Sequence, residues 1–195
     1  MSENSGLQFT IIDINSKKRK EIVINNIFKM LQERKLEPLN PKQKENDDTE
    51  YIITTNNKSF YIKLYVYELK SLSKSSDLVD FLKLTDDPRL IVVQSILGKT
   101  EKTIKEKFGN NIEIFLEKEL MINIIDHIFV PKHILLNEED CKKVLEDYYA
   151  RKKDLPKILH TDPIMKYYNA KIGQIVRIIR PSELSGEAIY YRLVI

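Results

Sequence analysis

RLIVVQSILGKTEKTIKEKFGNNIEIFLE, residues 89–117, carries the pattern that decides the fold. RLIVVQSIL is a continuous apolar run of strand length, as expected of a strand buried on both faces. KTEKTIKEKFG reads as a short charged helix closed by Gly109, a residue that ends helices readily because it has no Cβ. NIEIFLE is a further strand candidate. Just upstream, SSDLVDFLKL has a serine/aspartate start and sets Leu78, Phe81 and Leu82 on one helical face. Strands alternating with helices in this way predict an α/β layer built on a mixed sheet.

Working outward toward the start of the chain, residues 17–37 place Ile24, Ile27, Phe28 and Leu31 at helical spacing, and Pro38 is the expected stop. LNPKQKENDDTE, residues 39–50, is polar and reads as a loop. YIITT and SFYIKLYVYE flank Asn56-Asn57-Lys58, a hairpin turn. In the second of these strands Phe60, Ile62, Leu64 and Val66 form one face, and Tyr61, Lys63, Tyr65 and Tyr67 the other.

Toward the other end, ELMINIIDHIF runs into Val130-Pro131, the boundary between residues 1–129 and a module of 66 residues, 130–195. Asn137-Glu138-Glu139-Asp140 resembles a capping box and predicts a helix to about Tyr149. Asp162-Pro163 is a second start, with a capping aspartate before a first-turn proline, and that helix ends near Asn169. GQIVRIIRP and AIYYRLVI are strands joined by SELSGE and should form an antiparallel hairpin. The expected class is therefore α+β / α/β: an N-terminal α/β domain with a mixed sheet, then a small α+β domain ending in a hairpin. A module this small is marginal alone, and its last strand leaves an edge unpaired. Ile189, Tyr191, Leu193 and Ile195 give that strand an apolar face that needs a cover.

Composition narrows the function. The chain has 195 residues, is 42% hydrophobic and 31% charged, and carries a net charge of +3. Residues 130–195 hold 12 basic against 9 acidic side chains, and residues 1–129 hold 20 of each. That excess is too small for a sequence-independent nucleic-acid binder. The opening segment has no charged n-region followed by a long apolar core, so it is not a secretory signal. The longest apolar runs are too short to cross a bilayer. The single cysteine, Cys141, excludes an internal disulfide and suits a reducing compartment.

Candidate chemistry is sparse. Glu68-Leu69-Lys70 follows a strand, with Asp47, Asp48 and Glu50 upstream; metal-dependent nucleases use such a set to hold Mg²⁺ and orient water. A charged strand exit is the plainer reading, and the nuclease is the alternative. His127, His133 and His160 lack the spacing of a zinc site. His160 and Asp162 have the types of a base and its orienting partner, but Asp162 is already explained as a cap and no nucleophile is evident. No glycine-rich phosphate loop is present among five scattered glycines. The pairs Tyr148-Tyr149, Tyr167-Tyr168 and Tyr190-Tyr191 suit interface or core better than base stacking.

Several linked motifs then occur in order: Val130-Pro131-Lys132-His133, Leu155-Pro156-Lys157-Ile158, His160-Thr161-Asp162-Pro163, Lys166-Tyr167-Tyr168, GQIVRIIRPSE from Gly173, and Tyr191-Arg192-Leu193-Val194. In these the chain resembles the C-terminal domain of the fifth-largest subunit of eukaryotic RNA polymerases, the domain of which the archaeal counterpart consists entirely. Residues 1–129 look like the eukaryotic subunit's α/β jaw domain, matching through Ile91-Val92-Val93-Gln94 and Glu119-Leu120-Met121-Ile122-Asn123-Ile124.

The resemblance implies a non-catalytic subunit of a multisubunit DNA-directed RNA polymerase. Its partners would be the largest subunit, other polymerase subunits and downstream duplex DNA, with no cofactor, metal, membrane or small-molecule substrate. It places the largest-subunit interface on His160, Thr161, Asp162, Pro163, Tyr167, Arg180, Pro181, Ser182, Glu183, Tyr191 and Arg192. After the Val-Val-Gln strand the family carries Thr-Pro-Ser-Ala facing DNA. Here the positions read Gly98-Lys99-Thr100-Glu101-Lys102, which leaves Lys99 and Lys102 as the DNA-proximal candidates. The location implied is the nucleus for a cellular polymerase, and host cytoplasm or virion for that of a large DNA virus.

Overall fold

The computed structural model describes residues 16–44, 47–56, 58–72, 76–109, 111–184 and 186–195. The opening segment, Asn57 of the expected turn and Ser75 of the expected helix start lie outside the described residues. The fold is α+β, with one five-stranded and one four-stranded sheet.

The first sheet has the order β1 (Lys42–Lys44), β2 (Asp47–Thr54), β3 (Ser59–Leu69), β4 (Arg89–Ile96), β5 (Ile112–Leu116). The pairs β1–β2 and β2–β3 are antiparallel, while β3–β4 and β4–β5 are parallel, so the sheet is mixed as expected. Each parallel step needs a crossover, supplied by α2 (Ser76–Lys83) and α3 (Gly98–Phe108). Gly109 closes α3 at φ 84°, where its N–H bonds the Lys105 carbonyl.

Helix α1 (Ser16–Glu33) lies on one face, burying Val23, Ile24, Ile27, Met30 and Leu31 against Ile53, Phe60, Ile62, Leu64, Leu90 and Val92. Leu78, Phe81 and Leu82 of α2 and Ile104 of α3 cover the other face, against Ile91, Val93, Ile112 and Ile114. Strand β4 is thus buried on both sides, which is why its apolar run is continuous. The buried Arg89 at its start donates to the carbonyls of Leu82 and Phe108, tying the ends of α2 and α3 together.

Two readings of this region need correction. Helix α1 stops five residues before Pro38: Lys35 turns left-handed at φ 60°, and the Leu36 N–H bonds the Leu31 carbonyl. This is a helix C-terminal motif made without glycine. The expected loop 39–50 instead contributes β1 and the first half of β2. The second face of β3 is largely covered. Tyr61 and Tyr65 pack on the second core, Lys63 is 2% exposed, and only Tyr67 stands out in water.

Residues beyond Leu116 start with α4 (Glu117–Leu120) and a 3₁₀ turn at Ile124–Asp126. The second sheet has the order β6 (Lys132–Leu135), β8 (Ile175–Ser182), β9 (Gly186–Val194), β7 (Lys157–Ile158). Strands β8 and β9 form the expected antiparallel hairpin, but β8 runs on through Ser182 and β9 starts at Gly186, so the connection is shorter than the expected SELSGE.

Helix α5 (Glu138–Asp147) covers one face through Cys141 and Val144, packed with Leu136 and Ile175. The short helix α6 (Pro163–Tyr167) covers the other, where Met165 meets Val176, Ile178 and Val194. Both expected caps form: Asn137 Oδ1 accepts the Asp140 N–H at 2.7 Å, and Asp162 Oδ1 accepts the Ile164 N–H at 2.9 Å. The final strand is better covered than its pattern suggested. Tyr191 and Leu193 are half-buried against α5, Val194 is buried on the opposite face, and Ile189 and Tyr190 remain half exposed.

Candidate assembly surface

Two candidate catalytic sets are separated by the fold. The His160 N–H donates to the Ile195 carbonyl at 2.8 Å, and its Nδ1 lies 3.1 Å from the same oxygen. Asp162 is committed to capping α6. The histidine therefore stitches its loop to the end of β9 and has no carboxylate partner in the cap.

The carboxylates Asp47 and Glu50 also have another use. Lys63 Nζ sits 2.9 Å from Asp47, 2.9 Å from Glu50 and 3.0 Å from Asp77, so an ammonium fills the centre that a cation would take. Burial alone raises the Asp47 pKa, but the hydrogen bonds from Thr49 and Lys63 outweigh it and hold the carboxyl down to about 2. Burial likewise lowers the Lys63 pKa, and its three carboxylates reverse that and raise it. Glu68 pairs instead with Lys70 at 3.0 Å on the surface, and the β3 register slips between Tyr65 and Glu68. The nuclease set is not assembled; its acids are a structural cage for a buried lysine.

The residues expected at a partner interface divide by strand register. Val176 pairs with Arg192, Ile178 with Tyr190 and Arg180 with Ala188, which places Arg180 and Arg192 on the α6 side of the hairpin. Arg177 pairs with Tyr191 on the α5 side, and Pro181 follows the same alternation. On the first side the Arg180 guanidinium stacks over the Tyr190 ring at 5.3 Å. Loop residues His160, Thr161 and Pro163 are exposed beside Ile195, and Leu159 is also exposed. Glu183 lies at the exposed hairpin tip and Ser182 is half-buried just before it.

His133 is the residue that sequence reasoning passed over. It pairs with Ile178, so its ring enters the same face, where it is 9% exposed. Burial pushes its pKa below the ordinary histidine value. The bond to the Pro131 carbonyl and the charge of Asp162 oppose that fall, while Arg180 and Arg192 reinforce it. The strand register sets His133, Arg180 and Arg192 on one face of this sheet, the face that α6 and its capping Asp162 cover. The signal available in the sequence was His133 inside the Val130-Pro131-Lys132-His133 motif.

Tyr167 goes elsewhere. It is 5% exposed and joins the core of α1 and the first sheet, so its side chain serves an internal contact rather than a surface. Around it Arg34 donates to the Tyr167 carbonyl at 2.7 Å and the Lys166 carbonyl at 3.2 Å, and clasps both oxygens of Glu113 at 2.9 and 2.7 Å. Asn169 adds a bond to Glu113 at 3.0 Å, and Lys166 pairs with Glu119 at 2.8 Å. Lys99 and Lys102 sit exposed in the first turns of α3, with Lys102 4.0 Å from Glu106.

Comparison with known proteins accounts for this arrangement. Residues 122–194 match the family model described as "RNA polymerase Rpb5, C-terminal domain". DNA-directed RNA polymerase subunit 5 of Acanthamoeba polyphaga mimivirus is 32% identical, over 95% of this chain and 96% of the relative. The Caenorhabditis elegans subunit RPABC1 of DNA-directed RNA polymerases I, II and III is 44% identical over 54% of this chain and 51% of its own length. Subunit Rpo5 of Methanosarcina mazei is 47% identical over 37% of this chain and 94% of its own. With likeness along nearly its whole length and the C-terminal model matched through both caps and the hairpin, the chain belongs to the family of RNA polymerase subunit 5, the non-catalytic fifth subunit of DNA-directed RNA polymerases.

Proposed function

We infer that this chain is an assembly subunit that docks on the largest subunit of its polymerase through the α6 side of the hairpin, with residues 1–129 extending along downstream DNA. In this reading residues 130–195 form the assembly unit. Arg180, Arg192 and Asp162 supply charged hydrogen bonds, the loop His160 to Pro163 supplies exposed backbone and side chains, and Glu183 marks the rim. Pro181 and Tyr191 face the α5 side and serve a second strip of the same contact. Lys99 and Lys102 approach phosphate as exposed cations. The subunit works where its polymerase does: the nucleus for a cellular enzyme, host cytoplasm or virion for a viral one.

The observation that carries the reading is the register that sets Arg180 and Arg192 on one face of the hairpin with buried His133, beside the exposed loop from His160 to Pro163. An arginine stacked on a half-exposed tyrosine, as Arg180 is on Tyr190, has the composition of an interface anchor. Affinity purification of tagged wild-type chain should recover the two large polymerase subunits in equal amount. Arg180→Glu should lose the largest subunit while keeping its circular dichroism spectrum, because Arg180 is exposed and makes no core contact. Undiminished recovery with Arg180→Glu and Arg192→Glu together would remove this face from the interface.

A further inference from the structure

Between the two sheets runs a cleft of about 980 Å³, which borders the α6 side of the hairpin at His133 and Leu135. Every residue from Val130 to Leu135 lines it. The register puts Lys132 and Ile134 on one face of β6, and His133 and Leu135 on the other. A strand shows both sets of side chains to one cavity only when its edge borders that cavity. Among the described residues strand β6 is an end strand of its sheet, and no other strand pairs with this edge.

The backbone phase agrees. Leu136 N–H donates to the Ile175 carbonyl at 3.0 Å, so in the antiparallel alternation residues 136, 134 and 132 bond toward β8. The N–H and C=O groups of His133 and Leu135 therefore point outward, and among the described residues no backbone group meets them. Pro131 and Lys132 blunt the start of the edge, a common guard against indiscriminate pairing, but they leave these two residues open.

The charge around the cleft is one-sided. Lys35, Lys58, Lys132 and Lys171 line it and are exposed, and among the described residues none forms a salt bridge. Arg34 and Glu113 neutralise each other at 2.7 Å, which leaves Glu33 as the remaining acid of the lining. Apolar groups, including Leu36, Phe60 and Tyr168, floor the space.

We propose that the cleft takes an extended acidic peptide segment of a partner protein, which adds as a strand to the open edge of β6 and places its carboxylates among Lys35, Lys58, Lys132 and Lys171. The backbone groups of His133 and Leu135 set its register, the apolar floor takes alternate side chains, and the lysines select for acid. A duplex is disfavoured because a cleft between sheets with an apolar floor and a strand edge matches main chain, not a phosphate groove.

The test uses the full chain and a short labelled peptide of alternating aspartate and valine. Binding is expected, with protection of the His133 and Leu135 amides from hydrogen exchange. N-methylating every second peptide amide should weaken binding about tenfold or more, through loss of strand hydrogen bonds. Lys58→Glu with Lys132→Glu should abolish binding and leave the circular dichroism spectrum and recovery of the large polymerase subunits unchanged, which separates this site from the assembly face. Equal binding by the N-methylated peptide, equal binding by the lysine variant, or displacement by a single-stranded DNA oligonucleotide at equal charge would each overturn the proposal. So would peptide-independent self-association through the same edge, read by sedimentation.

Discussion

Arg34 offers the sharpest test of how the C-terminal helix is held to the first sheet. Its side chain is 6% exposed and that of Glu113 is 16% exposed. Arg34→Met keeps the aliphatic stem but removes four donated bonds, two to Glu113 and two to the carbonyls of Tyr167 and Lys166. Glu113 is then left with Asn169 alone. Removing one partner of a buried ion pair costs about 3–5 kcal/mol, because the other charge stays desolvated. The two carbonyls near the end of α6 each add to that unless water reaches them. A loss of about 4 kcal/mol should lower Tm by about 8–16 °C in a chain of this size. Urea unfolding followed by far-UV circular dichroism suits a sequence without tryptophan. Glu113→Leu alone should also destabilise. The double variant Arg34→Met/Glu113→Leu should recover much of the loss, since a buried pair replaced by apolar groups of like volume is often neutral. Costs below about 1 kcal/mol for each single change, adding simply in the double, would refute the claim that this pair clamps α6.

Other consequences are quicker to check. Lys63→Met should destabilise by about 3 kcal/mol, because it takes the buried ammonium from Asp47 and Glu50 and leaves Glu50 with Lys44 alone. In the unchanged protein Asp47 is held down to about 2, so the unfolded chain takes up its proton first on acidification. That contribution is complete above about pH 4 and is lost as pH falls toward 2; the Lys63 variant should show a smaller acid-dependent loss in urea titrations, keeping the part that the Thr49 hydrogen bonds supply. Tyr167→Phe removes a buried hydroxyl that has no partner among the described residues, and should leave stability unchanged or raise it by about 1 kcal/mol. A marked loss of stability, or of polymerase subunits in a pull-down, would show that the Tyr167 hydroxyl has a use outside this chain.

How far the sequence carries depends on the range of the force concerned. The run at 90–93, the helical spacing of Ile24, Ile27 and Leu31, and the caps at Asn137 and Asp162 are local signals, and each appears where its pattern placed it. They suffice for the α+β class, the mixed sheet and the final hairpin, and the ordered motifs from Val130 onward suffice for the family. Burial of polar groups is a long-range outcome and was not legible. The stretch from Asp47 to Glu50 looked like a loop because its partner is an ammonium on the next strand, a pairing that leaves no apolar trace in sequence. Lys63 shares a strand face with three tyrosines, and nothing in that alternation marks it as the buried centre of a cage that Asp77 of α2 completes. Tyr167 sits among conspicuous surface motifs, yet helix α6 turns it inward, and no periodicity in five residues records which way so short a helix points. His160 and Asp162, two residues apart, became a strand tie and a helix cap because backbone hydrogen bonds claimed each one first. Identity was therefore written along the chain, whereas the division of its polar residues between cage, clamp and surface was decided only when the two sheets packed.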